Sequence, residues 1–322
     1  SMDFLTATFE DPRLTISDQD IVVTGNISVD DANLLSATTT GTVTASITTT
    51  ERITELKTLD VTSNAYTIVI SSADATATAE DLSAIDGKTT VTIDATAVTS
   101  ISGTYDEVTA LYESAGVDNL GDEAISISDE LTVTEANVID GLTTGAITAT
   151  IGNSRVSELV GGTPLLNANN NNAYIIAISS EDAAVSASDL NAINALTTEA
   201  VDLTNVTSIT SSSLADLEIL GTAILVNGEF SNATGATTVA VSDATIDATT
   251  LAATIDSLDF INGLNTTLMT LASGATINID ASEISTILGH ETGSIVGAFG
   301  DIEDGGSRLT ISDQDIVVTG NI

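Results

Sequence analysis

The sequence predicts an α/β repeat solenoid, with parallel strands alternating with short helices in coils of about 25 residues and the stack curved or superhelical. Three observations carry this expectation. The segment Arg13-Leu-Thr-Ile-Ser-Asp-Gln-Asp-Ile-Val-Val-Thr-Gly-Asn-Ile27 returns unchanged as Arg308 to Ile322. Long stretches inside the interval between the two starts also align with one another. The third is composition: aromatics are only 3% of residues and Trp is absent, so a core must be built from many thin aliphatic layers, as stacked coils provide.

On this reading residues 1–12 are an expression scar followed by the tail of a preceding repeat. Residues 13–307 form one complete long repeat, a solenoid, and residues 308–322 start the next repeat and cap the last coil. Within the long repeat, Ser28 to Leu56 aligns with Thr132 to Leu159, and Asn64 to Ile101 aligns with Asn172 to Ile209 at a constant offset of 108. Two unlike units of roughly 50 residues therefore alternate, and a more divergent one starts near Thr237.

Each unit divides again, because a β-branched run is followed by a short helical pattern and then by a second such pair. The first kind of strand is expected at Leu14–Ile16, Tyr66–Ile70, Ala124–Ile127, Tyr174–Ile178, Val239–Val241 and Leu309–Ile311. The second kind is expected at Thr42–Ile47, Val91–Ile93, Ala146–Ile151, Val201–Leu203 and Ile277–Ile279. Between them, Ala79 to Ile85 places Leu82 and Ile85 three apart on one helical face. Helices at Thr134–Ile139 and Ser188–Ile193 open on good N-cap residues with an acidic first turn. Parallel strands stack about 4.8 Å apart whereas helices need about 10 Å, so helices on one side would make the stack curve. A right-handed β-helix, with three sheets and no helices, is the alternative architecture. The equivalent Tyr66 and Tyr174 are expected to form matching core layers.

The chain has 46 acidic and 6 basic residues, a net charge of -40 at pH 7. Phosphate recognition needs clustered Lys and Arg, so nucleic acid is excluded as a partner. A surface this acidic repels anionic membranes and keeps filaments apart, and salt or divalent cations would relieve its self-repulsion. The hydrophobic fraction of 42% is too high for a disordered acidic chain. No apolar run is long enough to span a bilayer, so membrane insertion is not expected. Without Cys there are no disulfides or thiolate metal sites.

First-kind strands end in Ser and a polar residue, as in Ser17-Asp18, Ser71-Ser72, Ser128-Asp129, Ser179-Ser180 and Ser242-Asp243. Second-kind strands carry Asp94, Asp202 and Asp280. These residues read either as Asx and Ser turns at the coil corners or as calcium ligands, since Ca²⁺ takes six to eight oxygens. The candidate metal residues are Asp18, Asp20, Asp301, Glu303 and Asp304; the tail Asp301-Ile-Glu-Asp-Gly-Gly306 reads equally as a solvated linker. No other cofactor is expected. No EF-hand loop or Gly-rich calcium nonapeptide occurs. The single His290 lacks a partner for a zinc-protease motif, and no nucleophile elbow or phosphate loop is present. No catalytic residue is named and no enzyme is expected.

The phrases Ile-Ser-Asp, Ala136 to Thr150 and Val98-Thr-Ser-Ile101 resemble the Thr/Ala/Asp-rich repeat regions of very large secreted or cell-surface bacterial proteins of cyanobacterial type. The resemblance covers most of the chain. It implies a non-enzymatic stalk, filament or surface-layer spacer located outside the bacterial cell or on its surface, with neighbouring repeats of the same polypeptide as end-to-end partners. The alternative is an adhesive solenoid recognising a surface glycan or protein, with calcium as its conceivable ion.

Overall fold

The computed structural model describes residues 17–60, 63–152, 154–161, 166–167, 171–233, 238–251, 268–280, 309–310 and 315–319. They form a mixed α/β arrangement of small parallel sheets and short helices, with no closed barrel among the described residues. Two compact units are present, Ser1–Glu130 with Asn137–Ala149, and Leu131–Ala136 with Thr150–Ile322.

In chain order the strands are β1 Ile21–Ile27, β2 Val43–Ile47, β3 Ala65–Thr67, β4 Thr76–Thr78, β5 Ile93–Asp94, β6 Ser100–Gly103, β7 Val117–Asp118, β8 Ala124–Leu131, β9 Ile147–Ile151 and β10 Ala173–Ile176. They continue with β11 Ala184–Val185, β12 Val201–Asp202, β13 Ser208–Ser212, β14 Phe230–Ser231, β15 Thr238–Val241, β16 Thr245–Asp247, β17 Leu268–Thr270, β18 Thr276–Asp280, β19 Leu309–Thr310 and β20 Asp315–Thr319. The α-helices are α1 Val29–Ser36, α2 Ile53–Leu56, α3 Ala79–Asp86, α4 Tyr105–Glu113, α5 Val133–Asp140, α6 Ala187–Asn194 and α7 Leu214–Thr222.

Within the first unit β1 pairs with β2 and β2 with β3, while β4, β6 and β8 form a second ladder and β5 pairs with β7. The second unit runs β11, β13, β15, β17 and β19 in one sheet, β16, β18 and β20 in another, and pairs β12 with β14. Every one of these pairings is parallel, and most partners lie about 20 to 31 residues apart in sequence. One such step is a rung.

Several strands bury alternate residues. Val43, Ala45 and Ile47 are buried in β2 and Thr44 is exposed; Ile147, Ala149 and Ile151 repeat the pattern in β9. Most helices bury a three-residue stripe at i, i+3 and i+6: Val29, Ala32 and Leu35; Ala79, Leu82 and Ile85; Ala187, Leu190 and Ile193; Leu214, Leu217 and Leu220. Helices of two turns are not stable alone in water, so this stripe and the caps must hold them. Ser28, Thr78, Thr104, Ser186 and Ser213 each accept the N–H three residues on, in the position an N-cap requires.

A pair of threonines ties each of four rungs to the one before it. The hydroxyls of Thr39, Thr89, Thr143 and Thr197 donate to the carbonyls of Gln19, Tyr66, Glu123 and Tyr174 at 2.6, 2.7, 2.6 and 2.6 Å. The next threonine in each pair donates its N–H to the carbonyl two residues earlier, Ser17, Asn64, Gly121 or Asn172. The first hydroxyl also accepts the N–H of the residue after the pair, so it closes the turn and clamps the preceding rung together.

Two of these turns require glycine. A Cβ on Gly41 would lie 2.5 Å from the Gln19 carbonyl oxygen, and one on Gly145 would lie 2.3 Å from that of Glu123.

The core carries a polar layer beside each fully buried tyrosine. Asn64 accepts the Val43 N–H at 2.8 Å and donates to Tyr66 Oη at 2.8 Å and Ser36 Oγ at 3.2 Å. Asn172 donates to Tyr174 Oη at 3.0 Å. Both tyrosines are 0% exposed, so the matching layers expected from their equivalence are present.

Several expectations change in detail. The caps of α5 and α6 are Thr132 and Ser186, two residues before the expected Thr134 and Ser188, because the apolar stripe starts at Val133 and Ala187. The strands expected to run to Ile70 and Ile178 stop at Thr67 and Ile176, followed by single bridges at Val69 and Ala177. Leu14–Ile16 lies outside the described residues, and Leu309–Ile311 is described only over β19. The helix-free alternative is not the arrangement of the described residues.

Replacing Gly145 with Ala forces backbone, not a flexible side chain, to move. Gly145→Ala should lower unfolding free energy by about 1–3 kcal/mol in urea titration. Gly161→Ala, where a Cβ meets nothing within 4 Å, should change it far less.

Candidate functional site

Carboxylates at the rung corners are the most repeated polar feature, and the structure gives most of them a defined task. Asp94 Oδ1 accepts the Thr96 N–H at 3.0 Å, the Thr96 hydroxyl at 2.5 Å and Asn119 Nδ2 at 2.9 Å. Asp202 repeats the arrangement with Thr204 N–H at 2.9 Å, the Thr204 hydroxyl at 2.7 Å and Asn232 Nδ2 at 3.0 Å. Asn119 and Asn232 come from the following rung and sit at φ 65 and φ 56, a left-handed conformation that Asn tolerates better than most residues. These corners are Asx turns locked by the next rung.

A second set of carboxylates caps helices on the preceding rung. Asp74 Oδ2 accepts the Ile53 N–H at 2.9 Å, Asp129 Oδ1 that of Tyr105 at 2.9 Å, and Asp243 Oδ2 that of Leu214 at 2.8 Å. Each of these N–H groups belongs to the first residue of a helix, one of the four amides a helix cannot satisfy by itself. Asp182 Oδ2 serves Val156 in the same way at 2.8 Å, and Ser212 Oγ serves Ala187 at 2.8 Å. The Asp of the Ser-Asp phrase therefore reaches back one rung at Asp129 and Asp243, whereas Ser71 and Ser179 close local turns by accepting the N–H two residues on.

Three of the cations pair across rungs with this acidic framework: Arg52 with Asp74 at 2.8 Å, Lys57 with Asp81 at 2.5 Å, and Arg155 with Glu181. Arg52 also donates to the Ala73 carbonyl at 2.8 Å.

The expected ion ligands divide. Asp18 accepts from Ser17 Oγ at 3.4 Å and from Gln19 Nε2, and Asp20 accepts the Thr42 N–H at 2.8 Å; all are exposed corner contacts. Asp301, Glu303, Asp304 and His290 lie outside the described residues. Among the described residues no group of three or more His, Cys, Asp and Glu side chains is close enough to hold a metal ion.

One buried carboxylate stands apart. Glu123 is 0% exposed, and its Oε2 accepts the Tyr112 hydroxyl at 2.7 Å and the Gly121 N–H at 2.8 Å, while Oε1 has no hydrogen-bond partner. Burial, and then the hydrogen bond and charge of Glu123, push the Tyr112 phenol far above its ordinary value. Tyr112 is thereby held as a donor, which suits a structural tie. The sequence reading missed this pair because residues eleven apart, one on a helix and one in the bend before β8, share no periodicity.

A groove of about 300 Å³ in the second unit is lined by Asn191, Asn194, Glu218, Ile219, Thr222 and Glu229 among others. Asn194 Nδ2 donates to Glu229 Oε2 at 2.7 Å across it. No described helix is long and apolar enough to cross a membrane.

Comparison with known protein families, curated proteins and solved structures returned no match.

The corner carboxylates make stability depend on pH. Hydrogen bonds from Thr96 and then Asn119 hold Asp94 below the usual carboxylate range. At Asp202 burial is the largest single influence and works upward, but the bonds from Asn232 and Thr204 together outweigh it. A depressed folded value means the contribution is fully present above the unfolded value of about 3.9 and is lost as pH falls through the folded value. Melting temperature measured from about pH 6 to about pH 2 should thus fall less steeply in an Asp94→Asn, Asp202→Asn chain than in the unaltered one. Asp74→Ala should lower unfolding free energy by about 1–2 kcal/mol, and Asp74→Asn, which keeps an acceptor, by less.

Proposed function

We propose that the chain is a non-enzymatic α/β solenoid that serves as a structural spacer, a stalk, filament or surface-layer element, within a very large extracellular or cell-surface protein. The observation that carries this reading is the restart of the sequence. The segment that begins the long repeat begins again at Arg308, and its Asp315–Thr319 portion is a further parallel rung on β18. A recurring segment that joins the ladder as one more rung lets the array be extended by repetition without a new fold.

Two further features support a mechanical rather than a chemical task. Most of the carboxylates followed above serve rung-to-rung bonds or turns. The large net negative charge favours solubility and discourages lateral association of extended copies. Calcium remains a proposal for residues such as Asp301, Glu303 and Asp304; a rise in melting temperature with calcium beyond that with magnesium at matched ionic strength would support it.

Small-angle scattering on two long repeats in tandem tests the spacer. The maximum dimension should be about twice that of one repeat, as quasi-one-dimensional stacking requires. A tandem little longer than the single repeat would overturn the reading.

A further inference from the structure

In a chain with 46 acidic residues, the outward rows of three sheets carry no charge. In the first unit the strand pairings align Val22, Thr44 and Ala65 in one row and Asn26, Ser46 and Thr67 in another. On the ladder of β4, β6 and β8 the rows are Thr76, Ser100 and Ala124, and Thr78, Ser102 and Ser126. These residues are exposed or half-buried, while those between them, such as Ala45, Tyr66, Ala77, Ile101 and Ile125, face the core. The first acids of β8, Asp129 and Glu130, lie beyond the residues paired with β6. The second unit has such rows on a sheet of its own, with Ala184, Ser208 and Thr238 in register and Ala240 opposite Thr270.

Strand propensity and repulsion between stacked like charges both thin charge from a ladder. Neither accounts for these rows, because the same chain stacks acids elsewhere. Asp94 stands opposite Asp118 between β5 and β7, and Asp247 and Asp315 lie exposed on the sheet of β16, β18 and β20. The hydroxyls differ as well. Those of Thr39 and Thr89 are engaged in clamping turns, whereas those of Thr44, Thr67, Thr76, Ser100, Ser102 and Ser126 donate to no group among the described residues. Thr238 donates to Ser208 Oγ at 2.8 Å, so hydroxyls of adjacent rungs come within bonding reach of one another.

A partner that matches such a face is neutral, forms hydrogen bonds and is itself periodic. The rows repeat about 4.8 Å from strand to strand and about 6.6 Å along a strand, so the outward residues of β4, β6 and β8 cover roughly 200 Å². A stable protein interface needs about 800 Å² per partner, which argues against a second copy as the occupant. The rows also hold no aromatic ring on which a sugar could stack. An ice surface has the required properties: its oxygens form a two-dimensional lattice with repeats near these two spacings, and it demands no pocket. We infer that the uncharged sheet faces bind ice, their hydroxyl rows ordering water that joins the crystal. Uncharged, short side chains let the lattice approach, and the acids are kept to the corners and helices. This inference goes beyond the spacer reading and does not rest on it.

Slow directional freezing of the full chain tests it, by comparing the protein carried into the growing ice with that left in the liquid. The unaltered chain should enter the ice in excess of an inert acidic protein and should slow recrystallisation of fine ice grains. A chain carrying Thr44→Lys, Ser126→Lys and Thr238→Lys places one charge in the rows of each sheet, at exposed positions, and should lose most of both effects. The same charge added by Ala84→Lys, Ala110→Lys and Ala195→Lys, at exposed positions on or just beyond helices, should leave them intact. Thermal melting followed by circular dichroism shows that each variant is folded, and Ser126→Thr, which keeps a hydroxyl in the row, should retain activity if the triple variant fails to fold. No enrichment of the unaltered chain in ice, or equal enrichment of the two triple variants, would overturn the inference. Capture by crystalline cellulose without entry into ice would assign the faces to a glycan and overturn it as well. None of these outcomes changes the length of a tandem, so the spacer reading stands or falls separately.

Discussion

The amides at the start of each helix lack intrahelical acceptors, and the rest of the structure is arranged around supplying them. A helix of two turns has as many orphan N–H groups as a long one but far less packing to offset them. Here Ser or Thr of the same rung takes one amide, and Asp or Ser of the next rung takes another, as Thr104 and Asp129 do for α4. The helix is therefore completed only when its neighbour is in place. Cooperativity between adjacent rungs follows, since removing one rung exposes both an apolar stripe and a set of unpaired amides.

This dependence gives much of the acidity a structural meaning. Asp and Glu in the first turns of the helices lie at the positive end of each helix dipole, where negative charge is favoured. Basic residues find no equivalent role, because the last turns of these helices carry none. Repulsion between neighbouring corners is the accompanying cost, relieved by salt beyond about 10 Å and by the few Arg and Lys that bridge rungs.

Threonine has a comparable double use. As a β-branched residue it suits strands, yet the Thr pairs at Thr39, Thr89, Thr143 and Thr197 act through their hydroxyls, holding one turn closed while binding the carbonyl of the rung before. The same close approach of backbone to backbone is what leaves no room for a Cβ at Gly41 and Gly145. The buried Asn and Tyr pairs then fix register from inside, because Asn64 bonds to residues of two other elements as well as to Tyr66.

What the sequence by itself determined was the repetition, many of the strand positions and the helical stripes, because these depend on local periodicity and on alignment of one unit with another. Val43 to Ile47 and Ile147 to Ile151 alternate visibly, and Ala79 to Ile85 shows its three-residue spacing. Among strands of two to four residues, β10, β12 and β15 were legible as β-branched runs, whereas β4, β6 and β11 stand in no such run and are too short to establish a period of two. Only the tertiary structure decided what the carboxylates do. Asp74, Asp129 and Asp243 meet their partners 21 to 29 residues away in sequence, and Tyr112 at the end of α4 meets Glu123 in the bend before β8. Those contacts are set by how rungs stack, a distance in space that no local pattern encodes.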